Sequence, residues 1–272
     1  MEDLNKKTIE FEELCKIQLQ ILDNIDQFCR EHDIKYSLAF GTLLGAVRHG
    51  GYIPWDDDID LMMTRDNYNK FRKEYQSDKY PFVDIKTDSY HPVPLGKVYD
   101  SRTYFYYRGS IKRKYGVFVD IFPIDNMPSD ILEREKWVKR INKLILLNSI
   151  KCDPWLVLFK SKGGLISKSY RTIIKLFACS KQIHNELENC YTQYDGLETD
   201  FMGAPMIFNN MDVWRVYPKE CFQEYSFMNF EGKQYMAIRE YDNFLKIRYG
   251  DYMQLPPENE RVRKHGLIAY YK

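Results

Sequence analysis

The sequence predicts an α+β fold, a small mixed sheet flanked by helices and carrying a helical insertion. Three patterns point there. Apolar residues recur at helical spacing between Ile9 and Phe28 (Ile9, Leu14, Ile17, Ile21, Ile25, Phe28), with acids toward the start, as in an amphipathic packing helix. Tyr36–Phe40 reads as a short buried strand that passes through a Gly41-Thr42 turn into a helix start at Leu43, Leu44, Ala46 and Val47. Asp58 to Met63 alternates acid and apolar residues as a strand does, and Gly116–Phe122 is an apolar run interrupted by Asp120.

The remaining elements follow in chain order. Residues 65–75 read as a helix, and 82–85, 95–98 and 103–107 as short strands. From 129 to about 200 the pattern is mostly helical, broken at Asp153-Pro154 and Gly163-Gly164. Strand-like runs return at Tyr225–Phe230 and Gln234–Ile238, joined by Glu231-Gly232-Lys233, before a closing helix near Arg239–Tyr249. The expected organisation is a core over 1–128, a basic helical subdomain over 129–200, and a return to the core over 201–272.

At 272 residues, 44% hydrophobic and 29% charged, the chain has material for a sizeable core, which excludes disorder and collagen-like structure. Lysine and arginine total 40 against 39 acids, so the balance offers no argument for nucleic acid as a partner. The six cysteines form no Cys-x-x-Cys pair and do not cluster with histidine, which argues against zinc and against a disulfide framework. No basic-then-apolar leader opens the chain, and no stretch nears the roughly 18 apolar residues of a membrane span. A soluble protein of a reducing cytoplasm is expected.

The acids carry the chemistry. Carboxylates at i and i+2 of a strand project from one face about 7 Å apart at their bases, which suits a divalent cation. Oxygen-only ligands select a hard ion, Mg2+ or Mn2+. Asp58 and Asp60 supply the pair, and Asp120 is the candidate third acid, because a lone carboxylate inside an apolar strand needs a partner. Acid runs are more often solvated turns or helix caps. These, however, follow Trp55, enter a hydrophobic alternation, and stand 17 residues after a Gly41-Thr42 turn whose amides could receive phosphate. Arg48 and Lys97 are candidate phosphate clamps, each weighed against an ordinary surface cation. A phosphate cradle beside an acidic metal strand suggests phosphoryl or nucleotidyl transfer.

The run from Ser37 to Asp60, including Phe40-Gly41-Thr42-Leu43-Leu44-Gly45-Ala46-Val47-Arg48-His49-Gly50-Gly51 and Trp55-Asp56-Asp57-Asp58-Ile59-Asp60, strongly resembles the LicD family of phosphotransferases. The resemblance continues in Phe118-Val119-Asp120-Ile121-Phe122-Pro123-Ile124-Asp125 and from Tyr241 through Tyr249-Gly250-Asp251-Tyr252-Met253 to Leu255-Pro256-Pro257. It implies a nucleotidyltransferase-like core that moves phosphocholine, or a related phospho-alditol, from a CDP-linked donor to a glycan hydroxyl with release of CMP. Carried over, Gly41-Thr42 would face donor phosphate, Asp58 and Asp60 would hold magnesium and Asp120 would complete the triad; Asp56, in phase with them, is a candidate supporting or second-metal acid, and Asp120 is the acid expected to help take the acceptor's proton. His49, inside the matched motif, and His265 are candidate phosphate contacts. One departure is Ala237-Ile238-Arg239-Glu240, where the family carries a Val-Pro-like pair. A choline-bearing donor would need aromatic faces, for which Tyr104–Tyr107 is a candidate cage, although such runs are more often strand packing.

Between Lys136 and Lys181 stand 11 lysines and arginines and one acid, Asp153. Leu144–Leu147 and Trp155–Phe159 interleave apolar bulk with these cations, a pattern that fits peripheral contact with the anionic inner face of the cytoplasmic membrane, where a lipid-linked glycan acceptor would sit. A core-facing helix with a solvated basic face fits as well. The alternatives to CDP-dependent transfer are a nucleotidyltransferase that releases diphosphate from an NTP, and a non-catalytic glycan- or nucleotide-binding protein.

Overall fold

A computed structural model describes residues 8–107, 115–152, 165–204, 216–263 and 267–272. They fall into two compact units, one holding the residues up to Phe82, 97–124 and those from Lys219 on, the other 83–96 and 125–218. In chain order the elements begin β1 (Thr8–Ile9), α1 (Phe11–Glu31), β2 (Ser37–Leu38), α2 (Phe40–His49), β3 (Asp60–Thr64), α3 (Arg65–Glu74) and β4 (Phe82–Val83). Then come β5 (Gly96–Tyr99), β6 (Thr103–Tyr107), β7 (Phe118–Met127), α4 (Ile131–Cys152), α5 (Leu165–Phe177) and α6 (Ser180–Tyr191). The chain closes with β8 (Phe201–Gly203), β9 (Tyr217–Pro218), β10 (Tyr225–Phe230), β11 (Lys233–Ile238), α7 (Tyr241–Tyr249) and β12 (Leu267–Tyr271).

In the first unit, α1 buries Leu14, Ile17, Ile21, Leu22 and Ile25 along one stripe, with Glu12 and Glu13 at its positive end and Arg30 in its last turn. The main sheet runs in the order β2-β3-β7-β5-β4. β2 lies antiparallel to β3, and β3 lies parallel to β7 with Asp60 directly opposite Asp120. Leu61, Met62 and Met63 are all buried, as expected of a strand covered on both faces. A second sheet, β1-β12-β6, is antiparallel. The β10–β11 hairpin turns at Glu231 and Gly232, both at positive φ (50° and 77°). Its end is Ala237-Ile238, where the sequence departs from the family pair; both are fully buried, and Ile238 N–H donates to Ser37 Oγ at 2.9 Å.

The second unit is built on α4 and α6, whose Trp137, Val138, Ile141, Ile183, Leu187 and Tyr191 bury one another with Ile85 and Met127. Residues 125–127 of β7 pair with β8, and β8 with β9. The segment 83–96, which the sequence places with the core, belongs here because α4 and α6 tie it down. Asn148 Nδ2 donates to His91 O at 2.9 Å, and the His184 ring meets Asn148 Oδ1 at 2.8 Å.

Two sequence expectations need correction. Leu144, Ile145 and Leu147 pack against this second core, leaving only Leu146 of that run 52% exposed, so the run is not an outward apolar face. Tyr104 and Phe105 are each 3% exposed, Tyr104 stacked on Tyr270 and Phe105 against Phe118, so they are strand packing rather than a choline cage. The side chains of Tyr106 and Tyr107, His265, the run Trp155–Phe159 and the breaks at 153–154 and 163–164 lie outside the described residues. No described helix is long and apolar enough to cross a membrane.

Candidate active site

The acid run lies in the turn before β3 rather than along the strand, which begins at Asp60. The chain turns because Asp56 N–H donates to Ile53 O at 2.8 Å. Gln18, a lone polar residue on the buried stripe of α1, donates to Asp57 O at 3.0 Å and accepts from the Tyr52 hydroxyl at 3.0 Å. One carboxylate oxygen from each of Asp56, Asp57 and Asp58 lies within 4.8 Å of the other two, close enough among the described residues to share a metal ion. This group shares Asp58 with the expected Asp58–Asp60–Asp120 set and adds Asp57, which the sequence argument passed over.

Asp60 is held from both sides. Its N–H donates to Thr42 Oγ1 at 2.8 Å, and its carbonyl accepts from Ala39 N–H at 2.9 Å. Asp120 N–H donates to Ile59 O at 2.9 Å across the β3–β7 pair. Thr42 is 4% exposed, so its hydroxyl works on the Asp60 backbone. Just before it, Phe40 sits at φ +43°, a sparsely populated conformation for a bulky residue, with its ring packed on Phe122 and Phe244 at 4.9 and 6.0 Å.

Gly41 has a different use: a Cβ at this position would run into the Asp56 carboxylate. Gly41→Ala is therefore expected to displace Asp56 and lower turnover by about tenfold or more, with an unchanged circular-dichroism melt. Activity equal to the parent's would show that Asp56 has no part in the chemistry.

The cations are already engaged. Lys97 is 7% exposed, bonds the Asp120 carboxylate, and sets its ammonium 3.6 Å from the centre of the Phe118 ring. Arg48 Nη1 donates to Tyr252 O at 2.8 Å and Gln254 O at 3.3 Å, fastening the turn after α7 to the end of α2. His49 stands edge-on to Trp55 at 6.1 Å; lost solvent, with the Arg48 charge beside it, lowers its pKa and keeps the ring neutral near pH 7.

The electrostatics centre on Asp60. Loss of water, then the negative charges of Asp58, Asp120 and Asp56, push its carboxyl well above the ordinary range, while Lys97 pulls the other way. The same charges reach α7. Tyr249 keeps 39% of its surface, yet crowding around its hydroxyl, with Asp60 and Asp56 nearby, pushes its pKa up to about 12. Next to it, the Arg248 guanidinium lies 5.4 Å from the centre of the Phe40 ring. The sequence assigns neither residue a role, although both fall inside the motif that runs from Tyr241 to Met253. A cluster of carboxylates that raises one member's pKa fits a hard divalent cation, because the donor set is all oxygen and a cation would relieve its repulsion.

Residues 33–147 match the family model described as LicD/FKTN/FKRP, nucleotidyltransferase domain. Across 98% of this chain and 99% of the relative, 31% of residues are identical to the lipopolysaccharide cholinephosphotransferase LicD of Haemophilus influenzae. The chain belongs to the LicD family. The LicD-family match spans Gly41, Thr42, Arg48, His49, Lys97 and all the acids named here, leaving Arg248 and Tyr249 beyond it. Shorter stretches resemble an uncharacterized protein of Rickettsia typhi (39% over 54 residues, 20% of this chain and 18% of the relative). Another of Rickettsia prowazekii matches at 48% over 42 residues, 15% of this chain and 16% of the relative.

Proposed function

We propose that this LicD-family chain is a metal-dependent phosphotransferase that moves phosphocholine from CDP-choline to a hydroxyl of a cell-surface glycan, releasing CMP. The observation that carries the proposal is the register of Asp60 with Asp120 beside the Asp56–Asp58 turn, in a chain similar end to end to a cholinephosphotransferase. The acceptor oxygen bonds to the phosphorus carrying choline. The bond from that phosphorus to the bridging oxygen breaks, its electron pair leaves with CMP, and the hydroxyl proton passes to a carboxylate, for which Asp120 is the candidate. Mg2+ or Mn2+, held by Asp58, Asp60 and Asp120 with Asp56 alongside, would offset charge on the leaving diphosphate oxygen.

The chain's own groups do the positioning. Thr42 and Gly41 shape the acid turn, Thr42 through the Asp60 amide and Gly41 by leaving room for Asp56. Arg48, His49 and Lys97 are the proposed donor-phosphate contacts, Lys97 by exchanging part of its hold on Asp120 for phosphate. A glycan built on a lipid carrier would bring the protein to the inner face of the cytoplasmic membrane, where the basic segment 136–181 carries complementary charge.

The test is incubation with CDP-choline, CDP-glycerol or CDP-ribitol, Mg2+ and a glycan acceptor, following CMP. CMP release is expected with CDP-choline and is lost on chelation. Diphosphate released from CTP in its place would overturn the assignment.

A further inference from the structure

Two half-buried arginines close on the turn after α7. Arg48 donates from Nη1 to Tyr252 O at 2.8 Å and Gln254 O at 3.3 Å, and Arg261 donates from Nε to Pro256 O at 2.8 Å, so both cations grip the stretch 252–256. Arg261 is set a second time, with its guanidinium carbon 5.7 Å from the centre of the Trp55 ring, which also takes His49 edge-on at 6.1 Å. Trp55 leads directly into the Asp56 turn. The two guanidinium groups feel each other. Lost solvent lowers the Arg48 pKa, Tyr249 pulls it back, and the Arg261 charge lowers it again. Among the described residues neither arginine bonds a carboxylate: Arg48 reaches two carbonyls and His49, Arg261 one carbonyl and an aromatic face. Carbonyls satisfy N–H donors without neutralising the charge, so the fold holds two like charges together with no acid between them.

We infer that Arg261 binds the diphosphate of the CDP-linked donor together with Arg48. The inference rests on the proposed reaction and adds a residue that lies beyond both the closing motif at 241–257 and the matched segment 33–147. The bond to Pro256 O uses only the Nε of Arg261, and the terminal nitrogens form the planar fork that matches phosphate oxygens. Each phosphate of a diphosphate carries its own negative charge, so two guanidinium groups suit it, whereas a single carboxylate would leave one of them unneutralised. The Trp55-Asp56 junction places this cation pair next to the acid turn, and Tyr249, which feels Asp60 and Asp56, also acts on Arg48. Arginines and acids thus border one region, as a donor bound both directly and through a metal ion requires.

Calorimetry with CDP-choline and Mg2+ gives the dissociation constants of the parent, Arg261→Gln and Arg261→Lys. Arg261→Gln is expected to weaken binding by about tenfold or more, the worth of a charged hydrogen bond, with an unchanged ligand-free melt. Arg261→Lys keeps the charge without the fork and recovers part of the affinity. Raising salt should weaken the parent more steeply than the Gln variant. Equal affinity in Arg261→Gln would overturn the inference, as would a loss that comes with a lower ligand-free melt and no recovery in Arg261→Lys, since the residue would then serve the turn alone. CMP release by the parent is followed in parallel. Binding without release would count against the proposed chemistry and leave the affinity ratio to judge Arg261, whereas a parent that does not bind CDP-choline would overturn both.

Discussion

Asp60→Asn is expected to abolish transfer and, at the same time, to make the metal-free protein more resistant to heat. Transfer should fall by roughly 10²–10⁴-fold, because an amide neither holds a hard cation nor carries the charge that the reaction needs. Stability should rise because folding takes the Asp60 carboxylate out of water and sets Asp58, Asp120 and Asp56 close enough to raise its pKa further, against the pull of Lys97. The sign with pH follows. A carboxyl whose native pKa lies above its unfolded value contributes its full stability at acid pH and loses it as pH climbs through the native value. The advantage of Asn over Asp should therefore be small in acid and grow toward neutral pH, at roughly 2–4 °C in melting temperature for each kcal/mol relieved. Mg2+ or Mn2+ should raise the melting temperature of the parent and scarcely that of the variant. Near-normal turnover, or a variant that melts below the parent without metal, would remove Asp60 from the metal site.

What could be read in advance divides along a physical line. Local periodicity suffices for α1, for the strand-turn-helix at 37–49, for β6 and for the closing helix, because each is decided by neighbours in sequence. Asp120 was legible as a partnered acid because it interrupts an apolar strand, and its register with Asp60 follows from pairing β3 with β7. The placement of Asp56–Asp58 was not legible. Acid-apolar alternation suggests a strand from Asp58 on, but the Ile53 turn and the hold of Gln18 on Asp57 O keep the run out of the ladder until Asp60. Gln18 itself left a signal, a polar side chain on the apolar stripe of α1. Residues 83–96 left none, since their attachment to α4 and α6 runs through His91, Asn148 and His184, far apart in sequence.

Lys97→Met is expected to cost both stability and activity, the opposite pairing to Asp60→Asn. The Lys97 and Asp120 side chains keep only 9% and 13% of their surface, and Lys97 is the cation that opposes the charge felt by Asp60. Removing one partner of so enclosed a pair takes from the Asp120 carboxylate its ammonium, a loss of about 3–5 kcal/mol. Met preserves the packing of the stem against Phe118, so the loss reports the charge rather than a cavity. Adding Asp120→Asn to Lys97→Met removes the carboxylate that has lost its ammonium and should restore most of the stability, with a coupling of about 3 kcal/mol or more in denaturant melts of the two single variants and the double. Transfer should not return, since the double variant lacks both an acid and a phosphate contact. A double variant that regains CMP release along with stability would mean that the pair serves the fold alone, and the chemistry would have to be sought in Asp56–Asp58 and Asp60 without it.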